Sequence, residues 1–377
     1  MRNDRPVLIA ALLTPAGRGA VATIAFHGPA RLIDDADLFR AANGRPLAQQ
    51  SIDRVVFGRW GAEPGEELVL CRSSSETLEI HCHGGRAASE AILDALVRLG
   101  CERMDRWDYI ERTEGTFQRE AAHALAHAPT PRTAAIIAHQ IADPLRTALD
   151  ELASETISPG RMEDGIEVLL QQSAFGRHLI EPWQVVLFGR PNVGKSSLMN
   201  ALTGFERAIV LDVPGTTRDL VTAEIALDGW PIRLTDTAGL RSDADELEAS
   251  GISRAKELLA QADLRILVLD RSVPPTTEEL AMLEESAEAI VVANKQDLED
   301  AWNDALPREA ISLSAKTSEG LDQLSAAIVN RLVPAIPAPE CPVPISIRQI
   351  EILTNARLAL RNKQEQDARR LCQSLTR

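Results

Sequence analysis

Gly189-Arg-Pro-Asn192-Val193-Gly194-Lys195-Ser196 fits the pattern G-x-x-x-x-G-K-[ST]. The apolar run Gln184-Val-Val-Leu-Phe188 before it has the length of a strand, and Ser197-Leu-Met-Asn-Ala-Leu202 after it starts a helix. A strand feeding a glycine-rich turn that opens a helix aims successive backbone N–H groups and a helix N-terminus at one place, which makes a phosphate cradle. In such a cradle Lys195 reaches the outer phosphates and the Ser196 hydroxyl holds Mg2+. The fold class follows: an α/β chain whose central domain is a mostly parallel, doubly wound sheet, with ligands at the carboxyl ends of its strands.

The 377 residues are 45% hydrophobic and 25% charged, which suits two or three globular domains. No apolar run approaches the roughly 18–20 residues that would span a membrane. The apolar Val7–Leu13 is too short and too polar-flanked for a signal peptide. Cysteines 71, 82, 101, 341 and 372 form an odd, unpatterned set, which reads as reduced thiols in a cytoplasmic protein. A net charge of −15 gives no broad attraction to nucleic acid, so any RNA contact would be local. His81-Cys82-His83 is the one metal-like cluster, but on a strand adjacent side chains alternate faces and cannot all converge.

Four regions succeed one another. Residues 1–118 read as a mixed α/β domain, with strands at Val7–Leu13, Ala20–Phe26, Arg54–Trp60, Glu67–Arg72 and Thr77–Cys82 and a helix at Ala87–Leu99. Residues 119–181 are helical, in pieces Arg119–His127, Ala134–Ala142, Pro144–Ala153 and Met162 to about Ile180, broken by prolines. Residues 182–333 alternate strand and helix. The continuous apolar strands Leu264–Asp270 and Ala289–Ala293 suit a sheet covered on both faces. Residues 334–377 read as a stiff proline-rich linker ending at Pro344, then a single helix, Ser346–Leu371. Six basic and two acidic residues in Asn355–Arg377 make either a solvated helix face or an RNA-contacting patch.

Four further elements follow the phosphate loop in order. In Asp212-Val-Pro-Gly-Thr216-Thr217-Arg-Asp219, Thr217 is placed to ligate Mg2+ and sense the γ-phosphate. Asp236-Thr-Ala-Gly239 follows a strand, so Asp236 can hold Mg2+ through water and the Gly239 N–H can meet the γ-phosphate. Asn294-Lys295-Gln-Asp297 follows another, and its Asp297 carboxylate can accept two N–H bonds from guanine's pairing edge, which adenine does not offer. Ser314-Ala315-Lys316 would close over the guanine O6 with a backbone N–H. Together these specify GTP or GDP. The residue after Gly239 is Leu240, where Ras-like enzymes carry a water-orienting glutamine. Leucine cannot polarise water, so hydrolysis must borrow a group from elsewhere.

Asp236-Thr-Ala-Gly-Leu-Arg241, with Asp245-Glu-Leu-Glu248 and Gly251-Ile-Ser-Arg254, resembles the tRNA-modification GTPases called MnmE or TrmE. Ile9-Ala-Ala-Leu-Leu-Thr-Pro-Ala-Gly-Arg-Gly19 and Glu79-Ile-His-Cys-His-Gly-Gly85 resemble that family's N-terminal domain. The likeness is strong over 183–332 and moderate over 7–100. It implies nucleotide domains that dimerise around K+ held where an arginine finger would lie. Asn192 matches the family's asparagine ligand, and Leu211 and Val213 lie where main-chain carbonyls complete the site. It further implies that Glu248 orients the attacking water and that Lys195 and Thr217 share in catalysis. Ser197 and Val193 would contribute to nucleotide binding, as would Gly189, Gly194 and Lys316.

The resemblance also implies a homodimer formed through the N-terminal domain, a flavoprotein partner, a tRNA substrate and a tetrahydrofolate derivative near Arg18. Gly-Arg-Gly-Ala20 replaces the family's usual Gly-Arg-Gly-Gly there. Family members carry a longer helical domain and a Cys-Ile-Gly-Lys terminus implicated in wobble-uridine chemistry. Cys372 sits in no such motif, and its role is not carried over. Two classes of function remain: a tRNA-modifying GTPase, or a regulatory or ribosome-assembly switch, akin to the Era and Der GTPases, that has lost the modification chemistry.

Overall fold

Alternation of apolar and polar residues along Thr77–His83 builds the first sheet. Leu78, Ile80 and Cys82 turn into the core, and Thr77, Glu79, His81 and His83 face the other way. The computed structural model describes residues 7–15, 19–205, 208–210, 221–237 and 256–376. The chain divides into one unit running to His123 and another from Ala124 to Thr376.

In the first unit, strands β1 (Ile9–Leu12), β2 (Val21–His27), β3 (Phe39–Ala41), β4 (Val55–Trp60), β5 (Glu66–Arg72), β6 (Thr77–His83) and β7 (Glu102–Arg103) form one sheet in the order β3-β4-β5-β6-β2-β1-β7. Every pairing is antiparallel except β1 with β7. Helix α1 (Arg31–Asp35) contributes Ile33 to the core on one face, and α2 (Arg86–Arg98) contributes Ile92, Leu93 and Leu96. On the other face Tyr109 of α3 (Arg106–Glu114) packs on Ile9, Ala11 and Ala25. Periodicity misses α3 because Tyr109 is its one buried residue. It misses β3 and β7 because they are only three and two residues long. The two histidines flanking Cys82 are engaged separately, His81 with the Thr23 hydroxyl (3.0 Å) and His83 with Glu66 (2.5 Å).

Helix α4 (Thr116–His127) spans the boundary in sequence. The second unit then holds α5 (Pro131–Ala142), α6 (Pro144–Ala153), α7 (Pro159–Gln171) and α8 (Ser173–Arg177). Prolines at the first helical turn suit the start of α5, α6 and α7, where their missing N–H costs nothing. The expected helix from Met162 to Ile180 is two pieces, interrupted at Gln172.

The second sheet comprises β8 (Trp183–Phe188), β9 (Ala208–Val210), β10 (Val221–Leu227), β11 (Trp230–Asp236), β12 (Leu264–Asp270), β13 (Ile290–Asn294) and β14 (Ile311–Ser312), in the order β14-β13-β12-β8-β11-β10-β9. It is parallel from β14 to β11, with β10 and β9 antiparallel at the edge. Buried Val185, Val186, Leu187, Ile266, Leu267, Val268 and Leu269 fill its centre. Register places Asp236 beside Leu187 and Asp270 beside Asn294, so the carboxyl ends that carry polar residues share one edge. Helices α9 (Lys195–Thr203), α10 (Thr277–Glu285) and α11 (Leu321–Leu332) alternate with the strands.

The C-terminal segment corrects one expectation. Instead of one helix there are α12 (Ile347–Arg361) and α13 (Glu365–Gln373), separated at Asn362-Lys363-Gln364, where Lys363 is left-handed (φ 60°). They pack on α7 and α6, so the helical bundle draws on chain from both sides of the nucleotide sheet. The proline-rich stretch is docked on the helical bundle. The Gln140 side chain donates to the Cys341 carbonyl (3.0 Å) and accepts from the Val343 N–H (2.9 Å), while Val343 and Ile345 are buried.

Three of the six basic residues in Asn355–Arg377, namely Arg357, Arg369 and Arg370, are engaged within the unit. Arg357 pairs with Glu167, Arg370 pairs with Asp367, and Arg369 donates to Glu365 and the Ile157 carbonyl. Those contacts favour the solvated-face reading over an RNA patch. Cys372 is fully buried, which pushes its thiol up to about 11 and away from nucleophilic use. Among the described residues no helix is long and apolar enough to cross a membrane.

Candidate nucleotide site

The phosphate loop leaves β8 at Gly189, whose φ of +138° suits glycine and where a Cβ would lie 2.3 Å from the Val268 carbonyl oxygen. Asn192 is left-handed (φ 64°) and exposed, and Gly194 follows with φ +98°. A Cβ on Gly194 would meet the Asn294 side chain at 2.3 Å. Both ends of the loop thus depend on glycine because neighbouring strands approach so closely.

Lys195 opens α9 and is 5% exposed. Its Nζ donates to the carbonyls of Gly189 (3.0 Å) and Arg190 (2.8 Å), so the ammonium is held in the mouth of the loop by its own backbone. The next side chain, Ser196, donates through Oγ to Oδ2 of Asp236 at 2.5 Å. Asp236 ends β11 and is wholly buried. A hydroxyl and a buried carboxylate converging beside a phosphate cradle supply two hard oxygen donors, which fits Mg2+ with its retained waters. Ser197 is exposed one residue further on, and Thr237 is held by its hydroxyl donating to the Leu187 carbonyl (3.1 Å).

The base-side loops meet the same cradle. Asn294, 2% exposed at the end of β13, donates to the Val193 carbonyl (2.9 Å) and accepts from the Ala315 N–H (3.0 Å). Lys295, left-handed at φ 66°, donates to Oδ2 of Asp270 (2.5 Å) and to the Asn192 carbonyl (3.2 Å). The buried Ser314 hydroxyl donates to Oδ1 of Asp297 (2.7 Å), which fixes the plane of that carboxylate. The Ser314 oxygen also accepts from the Thr317 N–H (3.2 Å), closing the loop around Lys316. The structure therefore brings Gly189, Asn192, Val193, Gly194, Lys195, Ser196, Ser197, Asp236, Asn294, Lys295, Asp297, Ser314, Ala315 and Lys316 to the carboxyl edge of one sheet. Thr216, Thr217, Gly239, Leu240, Glu248, Leu211, Val213 and Arg18 lie outside the described residues.

Asp270 and Arg190 were not legible as site residues. Burial alone would raise the Asp270 carboxyl, but hydrogen bonds from Lys295 and Ser272 outweigh it and hold the group below the usual carboxylate range. A carboxylate closing an apolar parallel strand was the available clue. Arg190 pairs with Glu278 (3.2 Å) and reaches the buried Glu279 of α10 (3.8 Å), contacts that no local pattern announces.

Residues 184–295 match a family model described as a 50S ribosome-binding GTPase. The tRNA modification GTPase MnmE of Symbiobacterium thermophilum is 33% identical over 408 residues, covering 94% of this chain and 89% of that protein. Its namesake from Bacillus subtilis is 29% identical, covering 93% of this chain and 88% of that protein. Among solved structures, the G domain of the T. maritima FeoB iron transporter is 30% identical, covers 40% of this chain and 99% of that chain, and has a TM-score of 0.29.

The Asp297 carboxylate tests base recognition directly. In Asp297→Asn the amide offers a donor where guanine also presents one, so GTP affinity falls about 10³–10⁴-fold while affinity for xanthosine triphosphate rises. Titration calorimetry with both nucleotides measures it.

Proposed function

The chain belongs to the MnmE family of tRNA-modification GTPases, and from that premise we propose that its GTP hydrolysis, driven by K+-dependent pairing of nucleotide domains, serves modification of the tRNA wobble uridine. The observation that carries the reading is the set of Lys195, Ser196, Asp236, Asn294 and Asp297 at one sheet edge, together with Leu240 after Gly239 in place of a water-orienting glutamine.

Lys195 and the loop N–H groups bind and orient the phosphates. Ser196 and Asp236, joined by Thr217, would hold Mg2+, which neutralises charge on the β- and γ-phosphates when bound. The Asn192 carboxamide is an oxygen donor suited to K+, with the carbonyls of Leu211 and Val213 as the further donors of this reading. A monovalent cation there would add positive charge where the transition state gathers negative charge. Glu248 orients the attacking water, a task Leu240 cannot perform, and Gly239 meets the γ-phosphate through its N–H. The same reading includes a homodimer, a flavoprotein partner, a tetrahydrofolate derivative contacted by Arg18, and action in the cytoplasm.

A second reading, a GTPase switch without uridine chemistry, is favoured by the burial of Cys372, which offers no reactive thiol. Expression in a bacterial strain lacking its own family member separates the two. Mass spectrometry of tRNA should find wobble-uridine modification restored, whereas intact GTPase activity without modification supports the switch.

GTP hydrolysis should run faster in KCl than in NaCl at equal ionic strength, as phosphate release measures; equal rates exclude the cation-dependent mechanism. Glu248→Ala should slow turnover about 10²–10⁴-fold, the usual worth of a positioned general base, and leave GTP affinity nearly unchanged. Loss of affinity in parallel would make Glu248 structural.

A further inference from the structure

Three strands of the nucleotide sheet, β8, β12 and β11, end at the site, and their opposite ends are all gripped by the helical part of the same unit. At the start of β8, His178 stacks on Trp183 with ring centroids 3.5 Å apart and an interplanar angle of 19°. The same histidine approaches Asp263, just before β12, at 3.4 Å. The firmest grip is on the β10–β11 turn, Asp228-Gly229. Both residues there have positive φ, 48° and 77°, as a tight two-residue hairpin demands.

Thr130, the N-cap of α5, donates through its hydroxyl to the Gly229 carbonyl at 2.7 Å. Its oxygen at the same time accepts from the Thr133 N–H at 3.2 Å. One hydroxyl thus caps the helix and holds the hairpin. Arg132 donates to Asp228 at 2.9 Å and lies 5.3 Å over the ring of Trp230. Phe175 of α8 meets the same ring edge-on at 5.7 Å, and Trp230 is only 2% exposed.

Trp230 begins β11 and Asp236 ends it. Six residue steps, about 20 Å of extended chain, therefore join the grip to the buried carboxylate that meets Ser196. β11 is paired with β10 over its whole length, Trp230 to Asp236, and with β8 from Ile232 to Asp236. A paired strand of this kind is a rigid element suited to carry coupling between its two ends.

We propose that Thr130, Arg132 and Asp228 are positioning residues that act through β11 on Asp236, and that the β10–β11 hairpin is the lever by which the helical bundle senses the state of the nucleotide site. The coupling is reciprocal: whatever biases the bundle biases Mg2+ binding at Asp236, and the bound nucleotide biases the bundle.

The test compares full-length Arg132→Ala, Asp228→Asn and their combination. Asparagine tolerates the left-handed turn, so Asp228→Asn removes charge without straining the backbone. Each single change should raise the Mg2+ concentration for half-maximal GTP hydrolysis and lower kcat, each about threefold to tenfold, with KM for GTP moved less than twofold. The double variant should be no worse than Arg132→Ala alone, because Asp228→Asn removes only the ion pair that Arg132→Ala already breaks, and Arg132→Lys should recover most of the activity.

Hydrogen exchange on the unaltered chain gives an independent readout. Amides of residues 128–135 and 225–233 should exchange at different rates with GDP and with a non-hydrolysable GTP analogue, both segments shifting in the same direction. Wild-type kcat and Mg2+ dependence in both single variants would overturn the proposal. So would exchange in these segments that is the same in both nucleotide states.

Discussion

The Asn294 carboxamide is the contact on which the site turns. Buried at the end of β13, it donates to the phosphate loop at Val193 and accepts from the base-side loop at Ala315. Each of those backbone groups, left unpaired in a buried place, would cost about 1–3 kcal/mol. One side chain therefore ties the element that holds phosphate to the element that closes over guanine. Gly194 is glycine for the same reason, since the amide nitrogen of Asn294 occupies the space of its Cβ. Lys295 repeats the connection one residue later by bridging Asp270 and the Asn192 carbonyl.

This arrangement makes the loop rigid at one end and leaves chemistry to the other. Asn294 and Lys295 fix Asn192 and Val193, while Ser196 and Asp236 form a separate oxygen pair suited to Mg2+. The helical bundle enters from the opposite edge of the sheet. Its contacts with Trp183, Asp263, Asp228 and Trp230 fall on the strands that carry the site, so the bundle and the nucleotide share a mechanical frame. Docking of the proline-rich stretch by Gln140 brings α12 and α13 into that frame as well.

Strong local signals were legible wherever one face or one period dominated. Along Thr77–His83 strict alternation separates Cys82 from its flanking histidines, as the strand periodicity required. The apolar run Leu264–Asp270 read as a buried parallel strand and is one. Charged α3, with its single buried tyrosine, gave no such signal. The break between α12 and α13 was equally silent, because Asn362-Lys363-Gln364 contains neither glycine nor proline.

By itself the sequence determined the ligand and the order of the site's parts. Glycines at fixed spacing, a lysine and serine opening a helix, and Asn-Lys-x-Asp after a strand are local chemistry, and local chemistry is written in consecutive residues. Only the tertiary structure decided which distant groups complete them: Asp270 under Lys295, Glu278 and Glu279 against Arg190, Thr130 and Arg132 on the Asp228-Gly229 turn. Those partners lie between 25 and 99 residues apart in the best-defined pairs. A hydrogen bond or ion pair across such a span leaves no periodicity behind, because it depends on sheet register and helix packing rather than on the neighbours along the chain.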